Sequence, residues 1–102
     1  MTSISKEQAA AICYREINQP NLDWPDMPEL VVVRVDERER SWVIHYQSKP
    51  WVESGDFSQS IVGNGPYVVS KATGNFAIAG TAAPLSDRVT EAERVLAARN
   101  AL

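Results

Sequence analysis

The sequence predicts an α+β domain: an antiparallel sheet of four strands with one helix before it and one after, in the order α-β-β-β-β-α. Three observations predict it. Apolar residues recur at helical spacing near both ends of the chain, and two stretches between them alternate with a period of two. Turn-forming clusters separate the alternating stretches. The chain is 102 residues long, with 44% apolar and 23% charged side chains. That is room for one domain with a modest core, stable by a narrow margin.

The first helix is expected over 5–18. Ser5-Lys6-Glu7-Gln8 fits a capping box, in which Ser5 and Gln8 satisfy each other's backbone N–H. Ala9, Ile12, Cys13 and Ile17 then line one face, and Pro20 ends the helix. Residues 20–29 carry Pro20, Pro25 and Pro28 among Asn and Asp, and read as a stiff loop with Leu22, Trp24 and Met27 available to pack back. From Leu30 the alternation places Val31, Val33 and Val35 on one face and Val32, Arg34 and Asp36 on the other. Trp42, Ile44 and Tyr46 alternate with Val43, His45 and Gln47 in the second strand, joined to the first around 37–40.

Residues 48–60 are polar and read as a long loop containing Trp51 and Phe57. Gly63-Asn64-Gly65-Pro66 reads as a tight turn demanding positive φ. Tyr67-Val68-Val69-Ser70 forms the third strand, 71–75 a hairpin loop with Gly74 at positive φ, and 76–81 the fourth strand. The second face of that last strand carries only Ala77 and Ala79, which lets a helix approach closely. Pro84 and Ser86-Asp87 open the last helix, with an apolar stripe of Leu85, Val89, Ala92, Val95 and Leu96. It is expected on the same sheet face as the first helix.

Composition narrows the function. Thirteen acidic and ten basic side chains give a net charge of -3, unsuited to binding nucleic acid through phosphates. One cysteine makes no internal disulfide, and one cysteine with one histidine is too little for a zinc site. No apolar stretch reaches the length of a membrane span, and no signal peptide is visible, so a cytoplasmic protein is expected. His45 sits mid-strand without an organised partner and reads as a surface histidine, and Cys13 reads as a core residue. The hairpin charges Asp36 to Arg40 read as solvent-exposed pairs. Gly63-Asn64-Gly65-Pro66 leads into a strand rather than a helix, which excludes a phosphate loop. No catalytic constellation emerges, so the chain is not expected to be an enzyme, and no cofactor is implied.

Trp42-Val43-Ile44-His45-Tyr46-Gln47-Ser48, Trp51-Val52-Glu53-Ser54-Gly55-Asp56, Gly63-Asn64-Gly65-Pro66-Tyr67-Val68-Val69, Lys71-Ala72-Thr73-Gly74 and Gly80-Thr81-Ala82 form an ordered series. This series resembles the immunity protein 35 family, also called YrhB-like domains, over roughly 5–100. The resemblance implies a bacterial protein that is one immunity-protein-like domain over 1–102. It implies that the protein neutralises a cognate toxin of a polymorphic toxin system by binding it, and it supplies no catalytic residues. A stress chaperone binding unfolded clients is the alternative that the YrhB branch suggests. For toxin occlusion, the partner-binding candidates are Trp24, Trp51, Glu53 and Asp56, on the loops 20–29 and 48–60. Loop tryptophans are common interface anchors, and they also commonly cover the open edge of a small core.

Overall fold

The computed structural model describes residues 3–20, 22–56, 65–81 and 84–102. The elements are α1 (Lys6–Ile17), β1 (Leu30–Glu37), β2 (Ser41–Ser48), α2 (Lys49–Ser54), β3 (Tyr67–Ser70), β4 (Phe76–Ile78) and α3 (Leu85–Ala98). The four strands form one antiparallel meander in the order β1-β2-β3-β4. The predicted order is therefore found, with a six-residue helix inserted between β2 and β3. Gly63, Asn64, Phe57 and Ala82, on which parts of the sequence reading fall, lie outside the described residues.

Local chemistry explains the helix ends. Ser5 and Gln8 form the full capping box of α1, with both reciprocal hydrogen bonds present. Ser48 caps α2 by accepting the Trp51 N–H, Pro50 occupies its first turn, and Gly55 closes it at φ 71°. The expected loop 48–60 thus begins as a helix. Its signals are those of capping rather than of apolar period, because six residues are too few to repeat one.

The two long helices lie on opposite faces of the sheet, not on one. Ala9, Cys13 and Ile17 of α1 pack with Leu30, Ile44, Tyr67 and Val69. Val89, Ala92 and Leu96 of α3 pack with Val43, Val68 and Ala79. Alternation compels this arrangement. Ile44 and Val43 are neighbours on one strand, so both faces of β2 and β3 are apolar and each needs a cover.

The first strand departs from simple alternation. Val32 pairs with Tyr46 but Arg34 pairs with His45, so Val33 is an extra residue in a β-bulge. Val32 and Val35 both face α1 in consequence, and Val33 is 46% exposed instead of sharing a face with Val35. Gly65 likewise differs from expectation. It is not at positive φ; a Cβ there would lie 1.7 Å from the Ala79 carbonyl oxygen, so close approach is what requires glycine. Gly74 is at φ 77°, as the hairpin reading predicts.

Candidate functional site

The pairing of Leu30 with Ser48 decides where the candidate residues meet. It puts the segment before β1 and the helix after β2 at one end of the sheet. The Lys49 N–H donates to the Glu29 carbonyl at 2.8 Å and joins the two segments. Side chains continue the link. The Tyr14 hydroxyl donates to Glu29 Oε2 at 2.6 Å, and Lys49 Nζ lies 3.6 Å from Glu29 Oε1. The Tyr14 hydrogen bond first, and the Lys49 charge after it, hold the Glu29 carboxyl below its usual range. The same bond raises the Tyr14 hydroxyl.

Each candidate has a definite place on this end. Trp24 is 41% exposed and lines a groove of about 380 Å³ with Asn18, Pro20, Leu22, Pro25 and Met27. Trp51 is half-buried in the first turn of α2, where its backbone makes both the N-cap and the C-cap contacts. Glu53 is exposed on α2, 3.8 Å from Lys49. Asp56 is exposed just past the helix, its N–H donating to Ser54 Oγ at 3.1 Å. Of the residues read as available to pack back, Met27 packs against the α1 core, whereas Leu22 is 97% exposed beside Trp24. The sequence reading did not single out the Tyr14–Glu29–Lys49 link, whose members come from three separate segments.

Charge is concentrated here. Residues 22–29 and 49–56 hold Asp23, Asp26, Glu29, Glu53 and Asp56 against Lys49 alone. The excess of carboxylates in these two segments is larger than the net charge of -3 of the whole chain. The rest of the molecule is close to neutral, so the molecule has an acidic pole.

Other candidate groups resolve into structural roles. His45 lies on the sheet face opposite Ile44, half-buried, with Nε2 3.2 Å from Asp36 Oδ2. Arg34 Nε donates to Asp36 Oδ1 at 2.8 Å. Arg34 first, and His45 with it, hold the Asp36 carboxyl below its usual range. The histidine therefore has the organised partner that the sequence reading did not find, in a cross-strand ionic cluster. Cys13 is fully buried, and burial pushes its thiol up to about 12. The hairpin charges are not simply exposed pairs. Arg38 reaches Glu93 of α3 at 3.3 Å and Glu37 reaches Lys71 at 2.7 Å, tying the hairpin to both neighbours. Among the described residues no group of three or more His, Cys, Asp or Glu could hold a metal ion. No helix among them is long and apolar enough to cross a membrane.

Comparisons with known proteins agree with the resemblance read from the sequence. The family model for immunity protein 35 matches residues 9–92. The uncharacterized protein YrhB of Escherichia coli (strain K12) is 30% identical over 73 residues, covering 71% of this chain and 76% of that protein. No solved structure matches. With the family match running from the middle of α1 to the middle of α3, the chain belongs to the immunity protein 35 family.

Proposed function

We propose that this protein binds a cognate protein toxin one to one and neutralises it by occlusion, acting as a single immunity-protein domain over 1–102. The observation that carries the reading is the acidic pole, met in a chain whose family is named for immunity. A concentrated negative surface beside a half-exposed tryptophan suits a partner with a basic site. Complementary charge accelerates the encounter, and a desolvated aromatic then holds the complex. In this reading Trp24 is the anchor, Glu53 and Asp56 supply charge, and Trp51 fixes the helix that presents them. The protein contributes surface and no chemistry of its own, and it works in the cytoplasm of the toxin-producing cell.

The test is capture from the native host with this chain as bait, followed by calorimetry on the captured protein. One dominant partner is expected, encoded beside this gene, toxic when expressed alone and bound in a one-to-one complex. Trp24→Ala is expected to weaken that complex by about 2 kcal/mol with little change in melting temperature. A spread of unrelated, weakly bound proteins would replace this reading with that of a chaperone for unfolded clients.

A further inference from the structure

The outer edge of β4 and the outer face of α3 lie apart from the acidic pole. They enclose a groove of about 550 Å³ with a floor of Ala77, Ile78, Ala92 and Val95 and charges from Asp87, Arg88, Glu91 and Arg99 along it. Among the described residues no strand pairs with the outer edge of β4. The Ser70 N–H donates to the Asn75 carbonyl and the Ala79 N–H to the Pro66 carbonyl. By antiparallel alternation, the N–H and C=O groups of Phe76 and Ile78 then point away from β3.

The two edges of the sheet are built differently. The β1 edge carries a bulge at Val33 and the charges of Arg34, Asp36 and Glu37, all devices that discourage strand pairing. The β4 edge is Phe76-Ala77-Ile78, without charge, proline or bulge, and Ile78 is 57% exposed.

The helix above this edge complements itself. Asp87, Glu91, Val95 and Arg99 recur every four residues along the groove, with acids in the first half of this stripe and a base at its end, while Arg88 beside Asp87 turns its guanidinium to the Gly80 carbonyl. Two such stripes placed antiparallel set acid against base at both ends. Neither Asp87 nor Arg99 makes an ion pair with another described residue. The spacing also fits. Strands lie about 4.8 Å apart and α3 packs on both β3 and β4, so a two-fold axis beside β4 would hold the two α3 helices roughly 10 Å apart.

We propose that a second copy of this chain fills the groove, forming a two-fold dimer. In it β4 extends antiparallel onto its counterpart, and Asp87 faces Arg99 of the partner subunit. The inference does not depend on toxin binding, since the acidic pole stays open in the dimer.

The test is sedimentation velocity of the full chain from about 1 to about 300 µM, a range that brackets dissociation constants typical of small interfaces. A species of twice the 11.3 kDa chain mass is expected. Asp87→Arg and Arg99→Asp are each expected to weaken it about tenfold, because each reversal acts twice by symmetry. The double variant Asp87→Arg/Arg99→Asp is expected to regain the dimer, which a mere folding defect would not do. A monomer throughout the range overturns the proposal, as does a dimer indifferent to both reversals. So does a monomer that takes up an apolar dye in a manner abolished by Val95→Glu, which would assign the groove to an apolar ligand.

Discussion

The two faces of the sheet use the same strands to build unlike cores. Facing α1, Tyr67 sits edge-on to Tyr46 at 5.9 Å and tilted against Phe76 at 5.0 Å, while Trp42 donates its indole N–H to the Ile4 carbonyl at 2.9 Å. Facing α3, the contacts come from Val43, Val68, Ala77, Ala79, Val89, Ala92 and Leu96. The α1 core gathers the aromatic rings of the sheet around Ala9 and Cys13 of the helix. The α3 core is made of valine, alanine and leucine alone among its buried members. The difference teaches that one meander, apolar on both faces, can cover each face with a different mix of side chains.

That contrast gives its strongest test in substitutions of opposite kind. Ile44→Ala empties a fully buried position under α1 and is expected to cost about 3–4 kcal/mol. Ala92→Leu overfills the α3 contact and is expected to cost about 2 kcal/mol. Urea denaturation of both variants reads the two values. A neutral Ala92→Leu would mean that the second interface is loosely packed and would break the comparison.

Alkaline pH sharpens it, because buried titratable groups occur in the α1 core and the α3 core has none among its members. The Cys13 thiol is pushed by burial from 9.0 to about 12, and the Tyr67 hydroxyl from 10.0 to about 12, again by burial first. The unfolded chain releases these protons before the folded one does. Stability is therefore expected to be full below pH 9 and to fall above it, by about 1.4 kcal/mol per pH unit for each group as it enters its window. In denaturation curves across pH 8–10, Cys13→Ala is expected to remove the part of the decline that begins at pH 9. An unchanged decline in that variant would place its source elsewhere.

The smallest effects concern the two helix starts. The α1 start has a complete capping box, whereas α3 begins at Pro84 with no side-chain cap. Ser5→Ala is expected to lower stability by about 1 kcal/mol. Pro84→Asp, at φ -52° and ψ 145°, is expected to raise it by about 0.5 kcal/mol by supplying an acceptor. Thermal melts of the pair check both signs.

How much of this the sequence disclosed depended on how local the cause is. The capping box and the Gly74 turn involve neighbours in sequence, and both were legible. Ala77 and Ala79 signalled a close helix, but not that α1 and α3 cover opposite faces, because the covered face is set by which strand residues each helix meets across the sheet. The bulge at Val33 left no mark, because Leu30 to Val33 is uniformly apolar and a one-residue shift changes nothing in the pattern. The acidic residues near Trp24 and Trp51 were visible as scattered pairs. Their assembly into one pole rests on the Leu30–Ser48 register, a pairing between distant residues. The Asp36–His45 contact was hidden for the same reason.

Ile4 carries a practical consequence. Its N–H donates to the Lys71 carbonyl at 2.7 Å and its own carbonyl accepts from Trp42, so the incoming chain is clamped on both sides of one residue. The clamp lies beside the hairpins at 38–40 and 71–75, at the opposite end of the sheet from the Leu30–Ser48 pair. A linker joined ahead of Ile4 would therefore anchor the molecule to a sensor chip or bead with its carboxylate-rich end directed outward.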